Sequence, residues 1–135
     1  MKIIIGADFV PTESNKELFI GGKIEDLFGS GLLQILRDAD YRIFNLEVPL
    51  TDKKTPIKKC GPALIAETDT VKCYKKVKVD LVTIANNHIM DQGKQGLNST
   101  LTVLKREGIG YVGAAETFEG AKKTYVFDCN GSKIG

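Results

Sequence analysis

The stretch that decides the fold runs from Asp80 to Gly93 and reads DLVTIANNHIMDQG. Its first half, residues 81–85, is a short apolar run with β-branched side chains, the pattern of a strand buried on both faces. Polar side chains follow this run at once, at Asn86, Asn87, His88 and Asp91. Because α/β proteins place their chemistry at the carboxyl ends of buried strands, the stretch predicts both a central strand and a candidate site.

Length and composition indicate a single domain. A chain of 135 residues with 42% hydrophobic content can bury one core, and nothing in the composition suggests a second. Nineteen basic residues stand against seventeen acidic ones, which gives a formal net charge of +2. There is no basic tail, so we expect no nucleic-acid partner.

The amino terminus and the cysteines predict where the protein resides. The opening MKIIIGADF contains an apolar run that is too short for a signal peptide, and no later segment is long and apolar enough to span a membrane. Cys60, Cys73 and Cys129 are odd in number and widely spaced, which argues against a disulfide framework and for a reducing compartment. We therefore expect a cytoplasmic location.

Hydrophobic periodicity predicts strands that alternate with helices. The predicted strands cover residues 2–5, 41–46, 63–65, 81–85, 109–112 and 124–129, and the first of them is predicted to be central in the sheet. Helices are predicted near residues 24–28, from 32 to about 38, from 68 or 69 to about 77, and over 95–107, with a single turn at 117–121. This order predicts an α/β sheet with crossover helices.

The end of the chain predicts a hairpin with a very short second arm. Asn130-Gly131 is a strong two-residue hairpin signal, but only four residues follow it. The strand before the turn would then have little to pair against, so we expect an incomplete domain, truncated at its carboxyl end. A frayed natural terminus remains the alternative. An unpaired sheet edge could also support a homo-oligomer.

Three strand ends carry the candidate site. They are Asp8, then Asn45 with Glu47, then Asn87 with His88 and Asp91. If the strands are neighbours, these groups converge into a set of carboxylate, amide and imidazole ligands for manganese, magnesium, iron or zinc. The alternatives stay open: residues 86–88 could cap the next helix with Asp91 as N-cap, Asp8 could form a turn, and Glu47 could be a solvated loop acid.

Two other groups of residues have simpler interpretations. The lysines at 53, 54, 58 and 59 could attract an anionic polymer, but the interruptions between them favour a solvated loop. Cys60 and Cys73 match no zinc-binding spacing, so idle or buried thiols are expected.

Several motifs resemble the bacterial capsule-synthesis, CapA-like family. They are Gly6-Ala7-Asp8, Asn45-Leu46-Glu47 with Pro49-Leu50-Thr51, and Ala85-Asn86-Asn87-His88 with Asp91 and Gly93. Further matches extend to Val112-Gly113-Ala114, so the resemblance covers nearly the whole chain. The family is associated with poly-γ-glutamate and capsule biosynthesis and is similar to the calcineurin-like metallophosphoesterases. It therefore implies a four-layer α-β-β-α sandwich, here incomplete.

The resemblance also implies roles for individual residues. Asp8 would bind a first metal ion, Glu47 would stand where a bridging carboxylate stands, and Asn87 would bind a second ion, so the site would be binuclear. His88 would be the adjacent proton donor or transition-state stabiliser. We add Asn45 as a further candidate ligand and Asp91 as a further candidate catalytic residue.

The chain departs from the phosphoesterase pattern in three places. Val10 stands where a histidine is usual, Ala7 separates Gly6 from Asp8, and His88 is the only histidine. We therefore expect this chain alone to show weak or no metal binding and to be inactive. Two functions remain open: a metal-dependent phosphoesterase acting on a phosphate-containing or anionic polymer, and a non-catalytic polymer-binding or assembly protein.

Overall fold

The computed structural model describes residues 1–135 and contains a four-stranded parallel sheet with the order β1-β2-β3-β4. The strands are β1 (Ile3–Asp8), β2 (Tyr41–Asn45), β3 (Leu81–Thr83) and β4 (Gly110–Val112). Each strand pairs in parallel with the next one along the chain, and helical segments connect them. The predicted α/β class is confirmed, and β3 lies inside the sheet as its apolar sequence predicts.

Six α-helices and one short 3-10 turn accompany the sheet. They are α1 (Lys16–Gly21), α2 (Ile24–Leu27), α3 (Ser30–Arg37), the 3-10 turn Thr68–Thr70, α4 (Val71–Val77), α5 (Gly93–Glu107) and α6 (Phe118–Ala121). The sequence did not predict α1, because its glycines were interpreted as helix breakers. In the structure Gly22 has a φ of 61° and caps the carboxyl end of α1. This glycine therefore ends a helix that the preceding residues do form.

One face of the sheet packs against the helices and forms the main core. Side chains alternate between the two faces of a strand, which places Phe44 and Tyr41 on opposite faces. The Phe44 ring lies 5.1 Å from that of Phe9, which in turn lies 4.7 Å from the ring of Tyr74 on α4. Tyr74 is fully buried, and its hydroxyl donates to the Phe9 carbonyl oxygen. This contact fixes the chain directly after Asp8.

The opposite face of the sheet carries a small antiparallel hairpin, β5 (Phe127–Cys129) with β6 (Ser132–Ile134). The Phe127 ring stacks on Tyr41 with centroids 3.7 Å apart and planes 12° apart. Asn130 and Gly131 have φ angles of 53° and 81°, so the predicted hairpin turn is confirmed. The hairpin covers only part of this face, since Ile5 on β1 remains 77% exposed.

Several predicted strand positions were wrong. β1 is an edge strand, because it pairs only with β2. Residues 63–65 form no strand, and the chain there makes a single bridge between Leu50 and Ala66. β3 ends at Thr83, two residues early, where the backbone turns into the polar loop. The strand predicted from residue 124 begins only at Phe127.

Arg42 joins β2 to the segments on either side of it. This side chain is only 5% exposed, although it lies in a strand. Its guanidinium donates to the carbonyl oxygen of Leu36 in the last turn of α3 at 2.6 Å. It also donates to the carbonyl oxygen of Ala39, two residues beyond the helix, at 2.5 Å. It also pairs with the Asp80 carboxylate at 3.1 Å. One buried cation thus satisfies a helix terminus and anchors the start of β3.

Two further expectations concern the thiols and the membrane. Cys60, Cys73 and Cys129 are all free thiols in the structure, with Cys73 and Cys129 buried and Cys60 exposed. None of the helices combines the length and the apolar character that crossing a bilayer requires.

Candidate functional site

The carboxyl ends of β1, β2 and β3 meet at one edge of the sheet, as the sequence predicts. Asp8 is the register partner of Asn45, which is in turn the partner of Thr83. The Asn45 side-chain amide donates to Asp8 Oδ1 at 2.6 Å. Its oxygen accepts from Thr83 Oγ1 at 3.1 Å and from Asn86 Nδ2 at 3.3 Å. Both ends of the Asn45 amide are therefore occupied within the protein.

Asn86 shapes the loop that follows β3. Its Oδ1 accepts from the backbone amides of His88 and Ile89, both at 3.0 Å, and its Nδ2 donates to the Leu46 carbonyl oxygen at 2.9 Å. An asparagine that bonds to the backbone two residues on forms a tight turn of the Asx type. Asn86 was not among the predicted ligands, although this local turn chemistry is a signal that the sequence does contain.

His88 lies between two carboxylates. Its Nδ1 is 2.6 Å from Asp91 Oδ2, and its Nε2 is 3.9 Å from Glu47 Oε1. The imidazole is 15% exposed and Glu47 is 29% exposed, so one side of the ring faces accessible space. Because the Asp91 carboxylate can only accept, it favours the ring form with hydrogen on Nδ1.

Asp91 is the most buried charge of the site. Its side chain is 0% exposed, and it accepts from Lys59 Nζ at 2.6 Å, from His88, and from the Leu64 backbone amide at 2.7 Å. Burial alone raises the pKa of Asp91, but the hydrogen bonds from Lys59, His88 and Leu64 outweigh burial and hold the pKa below its ordinary value. Asp91 is therefore an ionised acceptor that orients His88.

This arrangement contradicts two of the simpler interpretations. The N-cap of α5 is Gln92 and no side chain caps that helix, so the interpretation of Asp91 as an N-cap is wrong. The solvated-loop interpretation is wrong for Lys59, which contacts a fully buried carboxylate. The sequence gives no local signal for this pair, because its members are 32 residues apart.

Asn87 stands apart from the other predicted residues. It is exposed, and its backbone carbonyl oxygen lies 3.4 Å from Lys59 Nζ. The structure thus brings the predicted residues together as two adjacent groups, Asp8 with Asn45 and Glu47 with His88 and Asp91. Asn86 connects these groups, and Asn87 lies at the exposed rim of the loop between β3 and α5.

Glu47 also lines a cavity of about 560 Å³. Its apolar wall includes Val10 and Ile20, and four carboxylates contribute to its lining, those of Glu13, Glu47, Asp52 and Glu67. Lys16 is the one cationic residue in the lining, and it pairs with Glu13 at 3.0 Å. This lining suits a neutral or cationic group better than an anionic polymer.

The donor set fits a divalent cation in type but not in number. Carboxylate and amide oxygens suit magnesium or manganese, and an imidazole suits zinc or iron. However, no three histidine, cysteine, aspartate or glutamate side chains lie close enough together to hold one ion.

Comparison with known proteins identifies the family. Residues 6–135 match the family described as "Bacterial capsule synthesis protein PGA_cap". The chain belongs to this capsule-synthesis family. Among its relatives is the "Capsule biosynthesis protein CapA" of Bacillus anthracis, 34% identical over 102 residues, which cover 73% of this chain and 25% of the relative. The "PGA biosynthesis protein CapA" of Bacillus subtilis (strain 168) is 34% identical over 91 residues, covering 66% and 24% of the two chains.

Membership of the capsule-synthesis family confirms the resemblance that the sequence motifs indicate. The matched region, residues 6–135, includes every residue of the candidate site, from Asp8 to Asp91. The chain nevertheless spans only about a quarter of the length of the two Bacillus relatives.

Proposed function

We propose that this protein acts in capsule or poly-γ-glutamate biosynthesis and that its strand-end site belongs to a metal-dependent phosphoester hydrolase. Family membership and the names of the two Bacillus relatives support the biosynthetic role. One observation carries the proposed chemistry: the buried carboxylate of Asp91 holds His88 Nδ1 at 2.6 Å, which leaves Nε2 directed at Glu47 on the accessible side.

In this proposal His88 gives a proton to the leaving oxygen of the substrate. An imidazole can hold or release a proton near neutral pH, and the proton must be on the nitrogen that faces the substrate. Asp91 accepts from Nδ1, so the exchangeable proton of the imidazolium resides on Nε2. Asp91 acts through His88, and its own carboxylate stays ionised.

Asp8 is proposed to bind a first divalent ion and Asn87 a second, with Glu47 as the carboxylate between them, and either ion can be manganese, zinc, iron or magnesium. Such an ion supplies positive charge that lowers the pKa of water and offsets charge on phosphoryl oxygens. Asn45 remains a further candidate ligand, although its amide already joins Asp8 to the neighbouring strand. A binuclear site requires donors beyond those that these residues bring together.

The substrate is proposed to be a phosphate-containing or anionic polymer. The acid-lined cavity beside Glu47 repels such a polymer unless a cation is bound, which links substrate binding to metal binding. A four-layer sandwich is also proposed, and the β5–β6 hairpin on the face opposite the helices supports it. A cytoplasmic location and a homo-oligomer through an unpaired sheet edge remain proposals.

Paramagnetic manganese tests the metal site in this chain, even where binding is weak. Titration of the isotope-labelled protein should broaden the amide signals around Asp8, Glu47 and Asn87 before all others. Asp8→Asn combined with Glu47→Gln should abolish this selective broadening, whereas the exposed Glu116→Gln should leave it unchanged. Broadening that is uniform, or that centres elsewhere on the surface, would count against the proposed site.

Turnover is tested in a protein of the relatives' length that contains these residues. Loss of a general acid typically costs about 10²–10⁴-fold in rate. His88→Ala should therefore lower hydrolysis of bis-para-nitrophenyl phosphate by roughly that factor, with unchanged manganese content. A full metal complement with no hydrolysis over a broad panel of phosphoesters would contradict the enzymatic proposal.

The second candidate function is a non-catalytic polymer-binding or assembly protein. Val10 favours it, since this apolar residue lines the cavity at the position where a phosphoesterase has a histidine. In that case His88→Ala would leave polymer binding unchanged, and phosphoesters would not be consumed. The manganese titration and the turnover measurement together separate the two functions.

A further inference from the structure

Lys59 reaches the site from a loop that contains no helix or strand, residues 52–65. Its Nζ lies 2.6 Å from Asp91 Oδ1 and 3.5 Å from His88 Nδ1. The lysine side chain is 20% exposed and the carboxylate is 0% exposed. An ion pair between exposed side chains contributes little, but a buried carboxylate that loses its partner is strongly disfavoured. Lys59 therefore differs from the other lysines of its loop.

The two oxygens of Asp91 have different partners. Oδ1 accepts from Lys59 Nζ, whereas Oδ2 accepts from His88 Nδ1 at 2.6 Å and from the Leu64 backbone amide at 2.7 Å. Without Lys59, Oδ1 of this buried carboxylate has no donor from the protein. The carboxylate would then turn or take up a proton in order to satisfy that oxygen. Either change would weaken its hold on His88.

The loop is fastened so that Lys59 is preorganised. The Ile57 backbone amide donates to the Asp91 carbonyl oxygen at 2.9 Å, and the Thr55 amide donates to Gln92 Oε1 at 2.7 Å. On the other side of Lys59, Gln92 Nε2 donates to the Leu64 carbonyl oxygen at 3.0 Å. Lys59 thus lies between two attachments to the segment that carries His88 and Asp91, so the backbone that carries Lys59 is already ordered when its side chain pairs with Asp91.

We propose that Lys59 is a positioning residue that fixes the ring form and orientation of His88 through Asp91. By occupying Oδ1 it directs Oδ2 toward Nδ1, so that Nε2 is the nitrogen facing Glu47 and incoming substrate. The catalytic meaning of this role rests on the proposed function. The ring geometry does not, because it can be observed in the protein without substrate or metal.

His88 is the only histidine of the chain, so its imidazole signals can be assigned without ambiguity. Long-range proton–nitrogen correlation spectra distinguish neutral rings that carry hydrogen on Nδ1 from those that carry it on Nε2. At a pH where the nitrogen shifts show a neutral ring, we expect the wild-type protein to have hydrogen on Nδ1. Lys59→Met and Lys59→Gln should both move the two nitrogen shifts toward the average of the two forms.

Two variants serve as matched controls. Lys59→Arg keeps a cation that can donate to Oδ1 and should restore the wild-type nitrogen shifts. Lys58→Met removes an exposed lysine one position away and should leave them unchanged. Far-ultraviolet circular dichroism verifies that each variant is folded before its spectrum is compared.

Three results would overturn the inference. One is a folded Lys59→Met or Lys59→Gln variant with wild-type nitrogen shifts, and another is a change of equal size in Lys58→Met. The third needs no variant: a wild-type neutral ring with its hydrogen on Nε2. If the shifts change as expected but manganese causes no selective broadening, the positioning role stands and the proposed metal chemistry fails. If manganese causes selective broadening but the nitrogen shifts do not change in the Lys59 variants, the proposed metal site stands and the positioning role fails.

Discussion

Arg42 offers the sharpest test of how this fold is held together. The side chain is 5% exposed and donates to four carbonyl oxygens, the nearest being those of Leu36 at 2.6 Å and Ala39 at 2.5 Å. Arg42→Met keeps the length and the apolar stem but removes every one of these donors. Each buried acceptor left without a partner costs about 1–3 kcal/mol, and the loss of a partly buried ion pair adds to this cost. We expect Arg42→Met to lower the free energy of unfolding by about 3–5 kcal/mol.

The acidic partner should matter less than the arginine. The Asp80 side chain is 32% exposed, so water partly replaces the guanidinium in Arg42→Met. In the converse variant, Asp80→Asn, Arg42 keeps its contacts with the Leu36 and Ala39 carbonyl oxygens. We therefore expect Asp80→Asn to cost only about 1–2 kcal/mol. Arg42→Met should therefore be the more destabilising of the two variants, because only this variant removes the contacts with the carbonyl oxygens.

Urea unfolding followed by circular dichroism measures both effects. Arg37→Met is the control, because Arg37 pairs with Glu25 at 3.5 Å and the two side chains are 57% and 66% exposed. That change should stay within about 0.5 kcal/mol of the wild type. If Arg42→Met costs less than about 1 kcal/mol, or if Asp80→Asn costs as much as Arg42→Met, the carbonyl contacts do not carry the stability we assign to them.

Three further predictions concern the thiol of Cys73, the acid sensitivity of Asp52 and the backbone at Gly113. Burial raises the pKa of Cys73 to about 12, so iodoacetamide at about pH 8 should modify this thiol only after unfolding, as mass spectrometry would show. The backbone amide and hydroxyl of Thr68 lower the pKa of Asp52, so its stabilising effect is present near neutral pH and is lost as the pH falls through the lowered value. Wild-type protein should therefore lose more unfolding free energy than Asp52→Asn between about pH 6 and about pH 3. Gly113→Ala should cost roughly 1–3 kcal/mol or more, because its φ is 102° and a new Cβ would lie 2.6 Å from Ala85 Cβ.

Each of these predictions has an internal control. Cys60 is exposed and should react with iodoacetamide in the folded protein, so equal rates for the two thiols would contradict the first. Glu116→Gln, at an exposed position, should show the same acid sensitivity as the wild type, unlike Asp52→Asn. Gly29→Ala introduces a Cβ with nothing within 4 Å at a φ of −66°, so it should be tolerated. If it costs as much as Gly113→Ala, local strain is not the cause.

The parts of the fold that follow from local sequence were predictable. The apolar run at residues 81–83 is buried inside the sheet, and the polar side chains after it lie beside those of the neighbouring strands. The Asn130-Gly131 turn is where its dipeptide places it. In each case the structure is determined by residues that are close together in the sequence, so the local sequence pattern is enough to predict it.

The parts that depend on distant contacts were not predictable. β1 has the apolar sequence of a central strand, and its position at the sheet edge is set by which strands lie next to β2. The pair formed by Lys59 and Asp91 joins residues 32 positions apart, and four lysines in one loop gave no reason to single out one of them. Periodicity reports which residues are buried, but it does not report which side chains meet.

Two asparagines join the strand ends that form the candidate site. Asp8 and Glu47 are carboxylates at the ends of neighbouring segments, and a third acid between them would add repulsion. Asn45 instead offers a donor to Asp8 at 2.6 Å and an acceptor to Thr83 at 3.1 Å on one neutral group. Asn86 repeats this arrangement one strand further on, with its amide donating to the Leu46 carbonyl oxygen and its oxygen fixing the His88 backbone. The two amides thus hold the candidate residues beside the imidazole without placing a further charge between the carboxylates.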